Sequence, residues 1–153
     1  MITGRYSTSQ KPEIATAYND VRDDKTDTNW LLLEYVSDKV DELTLAQTGT
    51  GGLDEFVKHL QPNQAAFGYI RIPISNDELS QRTKFVLVCW CGPQVKVMRK
   101  AKLGIHKAEV KNVLRTFSIE IMASDLHDLD EKDVVLKLRK AGGANYDRQT
   151  SDY

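Results

Sequence analysis

Residues 85–90 read Phe-Val-Leu-Val-Cys-Trp, six apolar residues with no polar position in the run. Successive side chains of a strand point to opposite faces, so a strand of this kind needs apolar cover on both sides. A sheet with helices packed on each face supplies that cover, which places the chain in the layered α/β or α+β class. With 153 residues the chain predicts one domain, large enough to bury a core without disulfide staples.

The other periodicities fit this frame. Residues 30–36 and 40–45 read as strands joined into a hairpin by Ser37-Asp38-Lys39, and residues 65–72, 84–91 and 118–123 supply three more. The polar stretch 75–81 reads as a loop between the third and fourth strands. Ile14, Ala17, Tyr18 and Val21 have helical spacing behind Pro12, with Asp23-Asp24 ending the helix. Leu53, Phe56, Val57 and Leu60 repeat the pattern up to Pro62-Asn63, and residues 95–102 form a short helix broken at Gly104. A new helix carries Val110, Val113, Leu114 and Phe117 from His106 onward, and a last one covers 130–139 and stops at Gly142-Gly143. The expected core is Trp30, Leu32, Phe67, Tyr69, Phe85, Leu87, Trp90, Val110, Val113 and Phe117. Residues 12–141 then form the domain, with an N-terminal extension over 1–11 and a loose tail over 142–153.

Hydrophobic residues make up 41% and charged ones 28%, too apolar for a disordered chain. No apolar run approaches the ~20 residues of a membrane-spanning helix, and the first residues lack the layout of a signal peptide. The expectation is a soluble, cytoplasmic protein with no membrane partner, and nothing requires more than a monomer. Net charge is −1, yet residues 82–115 hold nine Lys and Arg against one acid. Such a block presents a basic surface to an acidic partner. Arg82 and Lys84 flank the start of the central strand, Arg99, Lys100 and Lys102 follow it, and Lys107, Lys111 and Arg115 line the next helix at intervals of four. A strand start and a neighbouring helix suggest one continuous cationic surface. Nucleic acid fits poorly, because the stripe has no interleaved aromatics for stacking, so an acidic protein surface is the expected partner.

Catalytic and ligand-binding patterns are weak. Cys89 and Cys91 would form a strained disulfide, lack further metal ligands at usable spacing, and read as buried free thiols. No metal or cofactor is expected. Gly49-Thr-Gly-Gly52 ahead of a helix invites an anion-binding reading but lacks the Lys-Ser/Thr of a phosphate loop. Asp125-Leu-His-Asp128 reads as a helix cap in a solvated connection, and no nucleophile has a base placed beside it. The chain is read as non-enzymatic.

Four segments carry a resemblance: 18–24 (Tyr-Asn-Asp-Val-Arg-Asp-Asp), 82–90 (Arg-Thr-Lys-Phe-Val-Leu-Val-Cys-Trp), 100–104 with Lys107 and Val110-Lys111, and 140–147 (Lys-Ala-Gly-Gly-Ala-Asn-Tyr-Asp). Together they resemble the coactosins, small members of the actin-depolymerising-factor homology (cofilin) family. The resemblance implies a central five-stranded mixed sheet with helices on both faces. It also implies binding to the sides of actin filaments without severing and counteraction of barbed-end capping. The filament-binding lysine of the family falls on Lys84, with Arg82 beside it, though Thr83 replaces the family's Ser and Gln81 stands where a further Lys is frequent. Lys100 and Lys102 match the region that cofilins use on actin, and Lys107 and Lys111 continue it. Two alternatives follow from the same resemblance: a cofilin-like depolymerising and severing factor, or a scaffold for a lipoxygenase-type protein through Leu138-Arg-Lys140, with Lys140 as the contact.

Overall fold

The computed structural model describes residue 8 and residues 11–77 and 80–144. Strands β1 (Trp30–Ser37), β2 (Val40–Gly49), β3 (Ala65–Asp77), β4 (Ser80–Cys91) and β5 (Ile119–Ala123) form one sheet in the order β2-β1-β3-β4-β5. All neighbours pair antiparallel except β4 and β5. Parallel pairing needs a crossover, and helix α3 (Val97–Val113) makes it. Helices α1 (Pro12–Arg22), α2 (Gly52–Phe56, continued by a 3-10 turn over Val57–His59) and α4 (Glu131–Ala144) complete the two outer layers.

The run at 85–90 behaves as its composition requires. Val86, Val88 and Trp90 pack with Trp30, Leu32 and Ile70 beneath α2 and α4. Leu87 and Cys89 pack with Leu31, Leu33, Phe67 and Tyr69 beneath α1 and α3. The strand thus lies between two separate cores, and the mixed five-stranded sheet with helices on both faces is the expected architecture. Most expected core residues are buried. Phe85, Val113 and Phe117 are only partly so; they pack at the margin of the α1/α3 core, where Arg22 lies over the Phe85 ring and Lys111 over Phe117.

Two side chains fasten α1 and α3 to the sheet. Arg71 on β3 donates to the carbonyl oxygens of Val21, Asp23 and Thr26 at 3.0, 2.6 and 2.9 Å, closing the C-terminal end of α1. The Tyr69 hydroxyl donates to the Thr116 carbonyl, and the Thr116 N–H donates to the Tyr18 hydroxyl at 3.1 Å. On the other face α2 lies so close to β3 that a Cβ on Gly68 would stand 2.2 Å from the Phe56 ring.

Several boundaries differ from the sequence expectation. The polar stretch 75–81 is strand at both ends, since the β3–β4 pairing continues through Ser75↔Gln81 to Asp77↔Ser80. Strand β2 runs on to Gly49, with a register shift between Leu32 and Leu33 that absorbs an extra residue. Helix α3 passes unbroken through Gly104, whose Cβ position meets open space. Buried Leu103 and His106 hold the helix on either side, so the glycine weakens it without stopping it. Helix α4 likewise continues through Gly142 and Gly143 to Ala144. The expected extension over 1–11 and tail over 142–153 fall largely outside the described residues. Lys11 is an exception: its Nζ pairs with Glu42 of β2 at 2.8 Å.

Replacing Gly104 with Ala removes the entropic cost of a mid-helix glycine and meets no obstruction. Gly104→Ala is expected to stabilise the protein by roughly 0.5–1 kcal/mol in denaturant unfolding. A loss of stability would mean that the helix bends at this point.

Candidate functional site

The register of β4 decides where its basic residues go. Pairing is regular from Ser75↔Gln81 to Ala65↔Cys91, so Arg82 and Lys84 point to the same face as Val86, Val88 and Trp90. That is the α2/α4 face. Pairing with β5 begins only at Val86↔Ile119, which leaves the outer edge of β4 open beside Arg82 and Lys84. Arg82 is exposed and Lys84 half-buried, opposite Ile74 and Ile72 of β3. Neither side chain has a hydrogen bond or ion pair among the described residues.

The cations of α3 lie on the other side of the sheet, where Leu103, Val110 and Leu114 pack. The structure therefore divides the basic third into two surfaces with the sheet between them. Most of the α3 group already has acid partners. Arg99 donates to Asp41 Oδ1 at 2.7 Å and to the carbonyl oxygens of Ser37, Asp38 and Val40 at 3.0, 3.0 and 3.2 Å. It also lies 3.7 Å over the Tyr35 ring, so it works as a clamp between α3 and the β1–β2 hairpin. Lys102 Nζ reaches Asp41 Oδ2 at 2.6 Å. The hydrogen bond from Lys102, together with the charges of Lys102 and Arg99, outweighs desolvation and holds the Asp41 carboxyl below its ordinary value. Lys107 and Lys111 each lie 2.6 Å from Glu120 of β5. Lys96, Lys100 and Arg115 are exposed and have no partner among the described residues.

Along the outer surface of α3, Val97, Ala101, Ile105 and Ala108 fall on one exposed row at helical spacing. Val97 and Ile105 are 78% and 68% exposed, so large apolar side chains stand in solvent on this face. Lys100, Lys107 and Lys111 flank this row on the β5 side. The sequence pattern gave the basic flank but not the apolar row, because the break expected at Gly104 cut the row in two.

The remaining candidates resolve into structure. The glycine loop before α2 has its amides occupied: Glu55 Oε1 accepts from the N–H groups of Thr50 and Gly51 at 3.2 and 2.9 Å and from Trp30 Nε1 at 2.8 Å. The hydrogen bond from Gly51 leads the causes that hold the Glu55 carboxyl low. The chain's own carboxylate thus takes the place an anion would have. Asp125 and Asp128 form a reciprocal cap on the 3-10 turn over Leu126–Leu129, as the spacing suggested. Cys89 is a buried free thiol, pushed up to about 11 by burial, whereas Cys91 is half-buried. In α4, Leu138 is a core residue with 1% exposure, so Leu138-Arg-Lys140 is not a continuous surface and Lys140 stands exposed beside it.

The pattern of the cofilin/tropomyosin-type actin-binding proteins matches residues 7–139, and the chain belongs to that family. Coactosin from Dictyostelium discoideum is 36% identical over 135 residues, covering 88% of this chain and 90% of that protein. Among solved structures, coactosin from Entamoeba histolytica superposes with a TM-score of 0.77 at 31% identity, covering 84% of this chain and 93% of the other. Mouse coactosin, described as an actin filament binding protein, gives 0.71 at 33% identity over 91% and 94% of the two chains.

Packing of α3 on the hairpin includes one buried imidazole. His106, 8% exposed, shares a 2.6 Å hydrogen bond between its Nδ1 and the Tyr35 hydroxyl. Burial is the leading cause that lowers the His106 value below its ordinary 6.5; Asp41 and Glu109 oppose the shift, and Arg99 and Lys102 add to it. A base depressed in the folded state contributes stability that is complete above its unfolded value and is lost as pH falls below it. The thermal midpoint should therefore drop between pH 7 and pH 5, and His106→Gln should flatten that limb. Parallel curves for the two proteins would show that His106 does not carry the acid sensitivity.

Proposed function

We propose that this protein binds the sides of actin filaments, with Lys84 and Arg82 at the start of β4 as its principal charged contact. The observation that carries the reading is a half-buried lysine with no acid partner among the described residues, standing where the sheet edge is open, in a chain of the actin-binding family. A cation held partly out of water by its own fold gains from a carboxylate supplied by a partner, and such a pair fixes register as well as adding affinity. Similarity to mouse coactosin, itself described as an actin filament binding protein, supports the filament as that partner. The activity is binding without severing, in the manner of the coactosins, and it places the protein on the cytoplasmic actin cytoskeleton.

The exposed row of α3, with Lys100 beside it, forms a second contact surface. Lys102, Lys107 and Lys111 join it only if released from Asp41 and Glu120, which makes this surface secondary to Lys84.

The test is co-sedimentation with filamentous actin at low and raised salt, beside a monomer-binding control. Wild-type protein should pellet in a salt-sensitive way. Lys84→Ala should weaken binding by roughly tenfold or more, about 1.4 kcal/mol per factor of ten, with an unchanged circular dichroism spectrum. A mutant that pellets like wild type would remove Lys84 from the site. Strong monomer binding with faster depolymerisation would favour a cofilin-like role instead.

A further inference from the structure

The basic flank of α3 is neutralised from within the chain. Lys107 Nζ meets Glu120 Oε2 and Lys111 Nζ meets Glu120 Oε1, both at 2.6 Å, so one carboxylate engages two ammonium groups with separate oxygens. Glu120 stands on β5, an edge strand, opposite Leu87 and so on the face that α3 covers. Its side chain is 20% exposed, against 24% for Lys107 and 39% for Lys111, so the cluster is sheltered but within reach of a partner surface. The two lysines have further contacts that do not depend on the acid. Lys107 Nζ lies 3.5 Å from Met122 Sδ, and Lys111 Nζ lies over the Phe117 ring at 5.8 Å.

We propose that Glu120 is a specificity-determining residue: by occupying Lys107 and Lys111 it weakens the α3 flank as a cationic contact and leaves the Lys84 surface dominant. This rests on the actin-binding reading above. A carboxylate on an incoming acidic partner must displace one that is already in place and covalently part of the fold, so the paired lysines gain little from the encounter. Among the described residues Lys84 faces no such competitor. The acid therefore acts against the α3 mode of engagement rather than for the Lys84 mode, which is how a protein with two basic surfaces comes to favour one.

The experiment compares wild type, Glu120→Gln, Lys84→Ala and the double variant in filament co-sedimentation, with melting curves as a control on folding. Glu120→Gln should bind about two- to fivefold more tightly at low salt, the range expected for freeing partly exposed ion pairs, and the gain should shrink as salt rises. The double variant should recover part of the binding that Lys84→Ala loses. A second measurement needs no variant: reductive methylation of wild-type lysines with and without filaments should show protection of Lys84 and little change at Lys107 and Lys111. Wild-type pelleting with no gain in Glu120→Gln, or filament protection of Lys107 and Lys111, would overturn the masking role alone. Failure of wild type to pellet at any salt would overturn the actin reading and this proposal with it.

Discussion

Residues 86–90 of strand β4 are buried on both faces, and the alternation of that strand fixes nearly everything of functional interest. Val86, Val88 and Trp90 belong to one core and Leu87 and Cys89 to the other, so a slip of one residue would exchange the contents of both cores. That constraint also orients Arg82 and Lys84, which lie two and one periods before Val86 on the same face. Because β5 pairs only from Val86 onward, the two cations stand at the point where the sheet loses its outer neighbour. Their placement follows from the register of the core, and not from any local preference of a surface loop.

Electrostatics then separates two basic surfaces that look alike in the sequence. Acids from distant strands neutralise most of α3: Asp41 of β2 takes Arg99 and Lys102, and Glu120 of β5 takes Lys107 and Lys111. Partly exposed pairs of this sort add only modest stability individually. Their effect is on availability, since a lysine already engaged by its own chain is a weaker ligand for a partner's carboxylate. Arg99 goes further and becomes a structural clamp, with four oxygen acceptors and an aromatic ring beneath it.

The layered fold was legible because its signals are local. The unbroken apolar run predicts a doubly covered strand, and Ile14, Ala17, Tyr18 and Val21 predict the helix whose inner face they form. What the sequence hid depends on contacts across the sheet. Asp41 and Lys102 are 61 residues apart, so charge counted over a window showed a basic block where the fold shows ion pairs. Gly104 reads as a break because glycine weakens helices, yet buried neighbours on both sides carry the helix through. Glu55 was missed for a related reason: the glycine loop suggested an external anion, whereas an acid one turn into the helix was there to take its amides. A check for acids within four residues of the glycines would have found it.

The proposed function requires Lys84 to meet a carboxylate of the filament. Zero-length carbodiimide coupling of the protein to filamentous actin, with the linked lysines mapped by mass spectrometry, tests this most directly, because it joins only ammonium and carboxylate groups already in contact. The expected result is an intermolecular link at Lys84, while Lys107 and Lys111 couple chiefly within the chain to Glu120. Links to actin through Lys107 and Lys111, with Lys84 unmodified, would contradict it.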